Sequence, residues 1–319
     1  MAVEGSTKAV VTALCANLGI AVTKFGAYLL TGSAAMLAES IHSVADSSNQ
    51  GLLLLGGKRA RRAATKEHPF GYGRERYIYS FIVAIVLFSV GGLYALYEAW
   101  HKISHPEPIT RWQWVPIVVL VVALVLESFA MRTAIKESNA VRGKATWVQF
   151  IRRAKSPELP VILLEDAGAL FGLVFALLGV SLTLVTGNGV YDGLGTAAIG
   201  LLLVAIAIVL AVEMKSLLIG ESATDEHVRE IERAIISVED IDRLIHMKTQ
   251  HIGPEELLVA AKVAVDAQDE AARVARAINE AEARIREAVP IARMIYIEPD
   301  LDRSAATARA SGTPADTAG

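Results

Sequence analysis

Six apolar segments run in series up to about Gly220, and each is close to the ~20 residues that a helix needs to cross a bilayer. They lie near residues 8–30, 34–57, 77–101, 112–135, 158–186 and 192–218. In lipid, every backbone polar group must be paired within the protein, so apolar segments of this length predict helices. The sequence therefore predicts an all-α six-helix transmembrane domain over residues 1–220. The first segment has no basic leader, so we interpret it as a spanning helix, not as a cleaved signal.

Lys and Arg in the connections predict how these segments are oriented. The second and fourth connections are rich in them, at positions 58, 59, 61, 62, 66, 74 and 76 and at 136, 142, 144, 152, 153 and 155. The first and fifth connections hold none, and the third holds few. Because basic loops stay on the cytoplasmic side, we expect cytoplasmic N- and C-termini. The sequence thus predicts an integral membrane protein, which we place in a bacterial plasma membrane.

The charged C-terminal part predicts a small cytoplasmic α+β domain over residues 221–300. Helical apolar spacing at 225–236 and 269–289 alternates with period-two runs at 241–253, 256–266 and 292–299, where Pro299 is expected to stop the last strand. This α-β-β-α-β order fits a helix pair on one face of a three-stranded sheet. About 80 residues bury only a modest core, so a partner surface would help the domain. Residues 301–319 are small, polar and aperiodic, which is typical of a disordered tail.

The second segment carries polar residues that are costly in lipid. Glu39, His42 and Asp46 stand at i, i+3 and i+7, and Asn49 extends the series. At ~100° per residue they share one stripe of a helix. Each ionisable residue inside a membrane costs roughly 2.5–3.5 kcal/mol on insertion scales. A polar seam that joins helices normally uses Ser, Thr or Asn, so the carboxylates favour a functional site.

The fifth segment repeats this feature, because Glu165 and Asp166 interrupt an otherwise apolar run. Adjacent residues point ~100° apart on a helix, so both reach one site only if it lies between their directions. Gly168, Gly172 and Gly179 follow at intervals on the same segment. Small residues at such positions predict close approach to another helix.

Two helices that bring His42, Asp46 and Asp166 together would form a nitrogen-and-oxygen site. Such a set suits a divalent cation such as Zn²⁺, and Mn²⁺, Fe²⁺ or Co²⁺ are alternatives. Three protein ligands leave room for a fourth. Glu165 or a water molecule is the main candidate, and Glu39 lies on the right stripe but one to two turns away.

Further polar residues of the apolar segments leave two readings open. Each of them could have a structural role, as an interhelical hydrogen bond or a helix-end charge, or a role in an ion pathway. These residues are Asn17, Lys24, Glu127 and Asp192. Glu98 and His101, near a helix end, are interpreted as interfacial.

Two motifs carry a resemblance to a known family. The stretch GSAAMLAESIHSVADSSNQ, followed by HPFGYGRERYIYSF, resembles the cation diffusion facilitator family. YDGLGTAAIGLLL, which opens the sixth segment, agrees with it, and the resemblance covers roughly residues 8–300. LLEDAGALFGL and ESFAMRTAIKE resemble the branch of this family that contains zinc transporter 9.

This resemblance implies a homodimeric exporter that moves a divalent metal, usually Zn²⁺, against H⁺ as counter-ion. It implies no cofactor, no enzymatic activity and no nucleic-acid partner, only membrane lipid and the transported ion. The family joins a His/Asp pair on the second helix to a pair on the fifth. His42, Asp46 and Asp166 match that pattern, but Ile162 stands at the remaining position and cannot bind a metal. Glu165 is the expected substitute.

Rival interpretations remain open on the sequence alone. An exporter of Mn²⁺, Fe²⁺ or Co²⁺, a non-transporting metal sensor, and a membrane metalloenzyme with Glu165 as base would each use the same residues. Many relatives also carry regulatory zinc ligands in the C-terminal domain. Here His246 and His251 stand five apart on a predicted strand, so they should face opposite sides and act as ordinary strand residues.

Overall fold

The computed structural model of the chain describes residues 34–106 and 113–301, together with 10–11, 14–15, 17–23, 25–26 and 29. Within these, the side chains of residues 34–42, 45 and 88 are not described. Much of the predicted first segment, and the predicted disordered tail beyond Leu301, therefore lie outside the described residues. The chain divides into two compact units, Met1–Leu218 and Ile219–Gly319.

Helices make up the described first unit. Their bounds are α1 (Ala34–Ala60), α2 (Glu75–Val86), α3 (Tyr94–Ser104), α4 (Trp114–Arg142), α5 (Trp147–Arg153), α6 (Glu158–Thr186) and α7 (Val190–Ile219). A π-helical segment, Leu87–Leu93, joins α2 to α3, so that the third predicted segment is one continuous helix. The helices α1, α4, α6 and α7 correspond to the second, fourth, fifth and sixth predicted segments.

Four of these helices are long and apolar enough to cross a membrane, judged on the described residues. They are Glu75–Ser104, Trp114–Arg142, Glu158–Thr186 and Val190–Ile219. The helix α1 has 27 residues, which is long enough, but its polar residues lower its mean hydropathy. The predicted total of six spanning helices is therefore only partly established.

A short helix, α5, lies in the fourth connection, where the sequence analysis assigned no element. It begins with a capping box, in which the Gln149 backbone N–H donates to Thr146 Oγ1 at 3.2 Å. In return, the Thr146 N–H donates to Gln149 Oε1 at 3.0 Å. The Arg142 guanidinium also stacks over the Trp147 ring, 4.3 Å from its centre. The cap satisfies backbone donors that such a short helix would otherwise leave unpaired.

Glycines allow α6 and α7 to approach closely, as their spacing predicts. A Cβ on Gly179 would lie 2.9 Å from the carbonyl oxygen of Tyr191, and a Cβ on Gly168 would lie 2.9 Å from the Ile206 side chain. Gly172 has only ordinary contact distances at this face. The predicted close approach is thus confirmed at two of the three glycines.

The π-helical segment also packs tightly on α7. A Cβ on Gly92 would lie 2.7 Å from Val204 Cγ2, and one on Gly91 would lie 3.1 Å from Leu203 Cδ1. The wide turn of the π-helix and the two glycines, which have no side chain, therefore lie at the same contact with α7.

The second unit has the predicted α-β-β-α-β order. Its elements are α8 (Asp225–Ile236), β1 (Arg243–Gly253), β2 (Glu256–Ala264), α9 (Ala271–Ala288) and β3 (Ala292–Asp300). The sheet order is β1-β2-β3. Strand β1 is antiparallel to β2, with Thr249 opposite Val259, and β3 is parallel to β2.

One apolar core holds these five elements together. Ile235 of α8, Val259 of β2 and Ile285 of α9 are fully buried in it. The predicted end of the last strand was wrong by one residue, since β3 continues through Pro299 to Asp300. Because β3 is an edge strand, it tolerates a proline that lacks the N–H donor.

Candidate metal centre

The polar stripe of α1 lies inside the first unit where its side chains are described. Asp46, Asn49 and Gln50 are all buried. The backbone of His42 is helical, one turn before Asp46, but its side chain lies outside the described residues. The helix therefore keeps the spacing on which the predicted stripe depends.

A hydrogen bond connects this stripe to the fifth predicted segment. Asn49 Nδ2 donates to Glu165 Oε1 at 2.7 Å, and only 5% of Glu165 is exposed. Within the part of the chain that the structure describes, Glu165 Oε2 and Asn49 Oδ1 have no hydrogen-bond partner. Buried oxygen acceptors are rarely left without a partner, and each such case calls for an explanation such as a bound ion or water.

Three other carboxylates lie around this bond. Asp166 is 5% exposed and Glu127, on α4, is 7% exposed. The charges of Asp46 and Glu127 act on both Glu165 and Asp166, and α4 packs along α6. Like charges this close repel unless protons or a cation neutralise them. The arrangement favours binding of a cation or of protons.

Glu127 was one of the residues whose role the sequence left open. The structure places it with the buried carboxylates, so it joins the candidate site. The available signal was a lone carboxylate in the middle of an apolar segment. Helical periodicity could not show which neighbour it would meet.

The structure does not assemble a complete metal-ligand set from the described side chains. Among them, no group of three or more His, Cys, Asp or Glu residues lies at metal-holding distances. Since the His42 side chain is not described, the set of His42, Asp46, Asp166 and Glu165 stays a prediction. Ile162 is buried at the position where the resemblance expects a ligand.

At the start of α6, two turns before Glu165, an ion pair is buried near the basic second connection. The Arg76 guanidinium donates to Glu158 Oε1, and both side chains are largely buried. Tyr77 donates to the backbone oxygen of Lys155 at 3.2 Å. These contacts fix the starts of α2 and α6 against each other, since breaking a buried pair leaves an uncompensated charge.

Two more of the residues for which the sequence left two alternative roles open, Asp192 and Asn17, make contacts between helices. Asp192 Oδ2 lies 2.9 Å from Lys102 Nζ, at the start of α7. Asn17 Nδ2 donates to Gln50 Oε1 at 3.2 Å, across two helical segments. Both contacts join neighbouring helices, so they agree with a structural role for Asp192 and Asn17.

In the second unit, His246 and His251 do not share a site. His246 is exposed, whereas His251 is buried and its Nδ1 lies 3.3 Å from the oxygen of Gly253. They face opposite sides of the sheet, as their spacing predicts.

Buried carboxylates on neighbouring apolar helices define a helical membrane protein with a charged interior. Comparison with known proteins agrees with this class. A family model described as the cation efflux transmembrane domain matches residues 10–219. The chain therefore belongs to the cation efflux, or cation diffusion facilitator, family, whose members are transporters.

Individual relatives refine this assignment. The chain is 32% identical over 265 residues to the mouse proton-coupled zinc antiporter SLC30A9, mitochondrial, covering 82% of this chain and 47% of that protein. The Xenopus laevis protein of that name is 33% identical, covering 83% of this chain and 48% of that protein. Metal tolerance protein C4 of Arabidopsis thaliana is 29% identical, covering 83% and 58%. The chain spans about half the length of the antiporters that it matches.

Proposed function

We propose that the chain is a proton-coupled exporter of a divalent metal cation, and that this cation is Zn²⁺. The observation that carries the proposal is a set of four carboxylates inside otherwise apolar helices, in which the charges of Asp46 and Glu127 act on Glu165 and Asp166, beside the bond from Asn49 to Glu165. Similarity to proteins named proton-coupled zinc antiporters supports both the ion and the counter-ion. Mn²⁺, Fe²⁺ and Co²⁺ suit the same donors and are compared with Zn²⁺ in the experiment below.

The proposed site takes one nitrogen from His42 and oxygens from Asp46, Asp166 and Glu165. Glu127 adds a further negative charge to the same region. A metal binds to neutral imidazole and ionised carboxylates, so its entry releases protons. Protons that enter from the opposite side displace the metal in turn, and an imidazole, which ordinarily titrates at about pH 6.5, suits this exchange. Rocking of the helices would expose the site to each side alternately.

The proposed architecture has six spanning helices in residues 1–220 and a dimerisation domain in residues 221–300. Two protomers would form a homodimer in membrane lipid, with both termini in the cytoplasm. The SLC30A9 relatives are named as mitochondrial, so they give no support to the bacterial plasma membrane expected from the sequence. We therefore propose an integral membrane protein and assign it to no particular membrane.

A flux assay in proteoliposomes tests the proposal. Zn²⁺, Mn²⁺, Fe²⁺ and Co²⁺ are offered singly, with a pH gradient imposed and then removed. We expect a Zn²⁺ flux that the gradient accelerates. Asp46→Asn and Asp166→Asn should each reduce it to the level of protein-free vesicles, because each removes a ligand charge.

The matched control is Asp192→Asn, which makes the same substitution at an ion pair with Lys102, outside the site. It should keep most of the flux. Retained flux in purified, folded Asp46→Asn or Asp166→Asn protein would contradict the site. Metal binding without any flux in the unmodified protein would instead indicate a sensor.

A further inference from the structure

Two histidines end the continuous helix that runs from Glu75 to Ser104. His101 lies in its last turn and His105 is its C-cap, whose N–H donates to the oxygen of His101 at 2.9 Å. Their ring centres are 5.3 Å apart and the ring planes are inclined by 31°. Both side chains are exposed, so their ring nitrogens are accessible to solvent.

The separation of the rings suits a shared metal ion. With Zn–N distances of about 2.0–2.1 Å and a tetrahedral angle at the metal, two bound imidazoles have ring centres about 5 Å apart. His105 follows His101 by one turn, and its N–H still donates to the His101 oxygen, so the two side chains leave the same helix end close together. Because rotation of an imidazole about its Cβ–Cγ bond is soft, both rings can turn a nitrogen towards one ion.

The helix end that carries the two rings is fixed against the start of α7. Lys102 Nζ lies 2.9 Å from Asp192 Oδ2 and donates to Thr196 Oγ1 at 3.4 Å. A Cβ on Gly193 would lie only 3.1 Å from the backbone nitrogen of Ile103, which shows how closely the two backbones approach. A pair of ligands on a fixed base loses less freedom when it binds.

We propose that His101 and His105 bind one divalent transition-metal cation through one nitrogen of each ring. Imidazole nitrogen suits Zn²⁺, Cu²⁺ and Ni²⁺. Among the described residues, no third His, Cys, Asp or Glu completes a larger ligand group. The site lies in the third connection, which is poor in Lys and Arg and therefore faces away from the cytoplasm. It is separate from the intramembrane carboxylates and, on the proposed function, lies on the side to which the exporter delivers its ion.

Copper binding to the purified full-length protein in detergent tests this site. Electron paramagnetic resonance of substoichiometric Cu²⁺ should show the hyperfine pattern of two imidazole nitrogens. His101→Gln and His105→Gln should each remove that pattern. Each should also weaken Zn²⁺ binding at this site on the order of 10²-fold, because a chelating pair becomes a single ligand.

His68→Gln is the matched control. His68 is also exposed and contacts an aromatic ring, Tyr72, with ring centres 4.7 Å apart. This variant should keep the two-nitrogen pattern. Absence of the pattern in the unmodified protein, or its persistence in either His101→Gln or His105→Gln, would overturn the proposal. No ion gradient is needed, so the result is independent of whether the protein transports metal.

Discussion

The two units place polar and apolar side chains in opposite ways. In the first unit the carboxylates of Glu165 and Asp166 are buried, whereas Val185 is 85% exposed and Trp100 is 72% exposed. In the second unit the core around Ile285 is apolar, and the charged side chains pair on the surface.

This difference follows from the solvent of each unit. In water, burial of apolar surface is the main driving force for folding, so the interior of the second unit stabilises it. In a bilayer the lipid tails are as apolar as leucine, so an apolar interior brings no comparable gain. Charged groups inside the first unit even oppose its insertion. The buried carboxylates of the first unit are therefore explained by function, and the apolar core of the second unit by stability.

The largest expected effect is on stability, and it tests this contrast directly. Ile285→Asp should destabilise the second unit by about 3–5 kcal/mol, because it buries an unpaired charge. That is a large part of the 5–15 kcal/mol that a domain typically has. Asp166→Leu should leave the first unit folded or more stable, since apolar replacement of buried charges is often stabilising. Hydrogen exchange of the full-length protein measures both.

Ile236→Asp is the control for the second unit, because Ile236 lies on α8 but its side chain is exposed. It should leave the exchange rates of β2 and α9 nearly unchanged. A strong destabilisation of the first unit by Asp166→Leu would mean that the buried carboxylates hold the helices together, and the contrast would fail.

The second expected effect is on ion binding and coupling, at Glu165. Glu165→Gln keeps the shape of the side chain and the oxygen that accepts from Asn49 but removes the charge. We expect Zn²⁺ affinity to fall roughly 10–100-fold, or the flux to lose its response to the pH gradient. Calorimetry and the flux assay measure these two quantities.

Glu213→Gln is the matched control, because Glu213 lies on α7 and pairs with Arg152 at 3.7 Å. It should bind and transport Zn²⁺ normally. Normal affinity together with an unchanged pH response in Glu165→Gln would make Glu165 a structural residue, and the fourth ligand would have to be water or Glu39.

The smallest expected effect concerns a surface ion pair of the second unit. The hydrogen bond from Arg273 lowers the pKa of Asp240, so the pair stabilises the folded state above the ordinary aspartate pKa. This contribution is lost as the pH falls through the lowered pKa. Arg273→Ala should therefore reduce the melting temperature slightly at neutral pH and not at all in strong acid.

Arg276→Ala provides the comparison, since Arg276 acts on Asp240 through charge but does not bond to it. Its effect should be smaller still. A pH-independent loss of stability in Arg273→Ala would show that the packing of Arg273, and not its bond to Asp240, matters.

Periodicity predicted the second unit well because water imposes it on both helices and strands. The order of α8, β1, β2, α9 and β3 follows from alternation and helical spacing alone. Pro299 misled the prediction because a sequence does not tell an edge strand from a central one. The short helix α5 was missed since it has only seven residues, although the Thr146 and Gln149 capping box was a usable signal.

In the first unit, segment length predicted where helices lie but not which side chains meet. The stripe of α1 could be read from its spacing, whereas its contact with Glu165 depends on the rotation and depth of two helices. The same applies to Glu127, whose neighbours belong to another segment. Periodicity predicts which residues share one face of a helix, but it does not predict which helix packs against that face.

The hydrogen bond from Asn49 to Glu165 also has a consequence for biosynthesis. A ribosome makes α1 and α4 before α6, so Asn49 is already synthesised when Glu165, to which it donates a hydrogen bond, is made. A carboxylate at the centre of a membrane helix costs roughly 2.5–3.5 kcal/mol to insert alone, and α6 carries Glu165 and Asp166 within its apolar run. Partners already present in the bilayer lower that cost. Entry of α6 into the membrane is thereby coupled to the segments that precede it, and not determined by its own hydropathy alone.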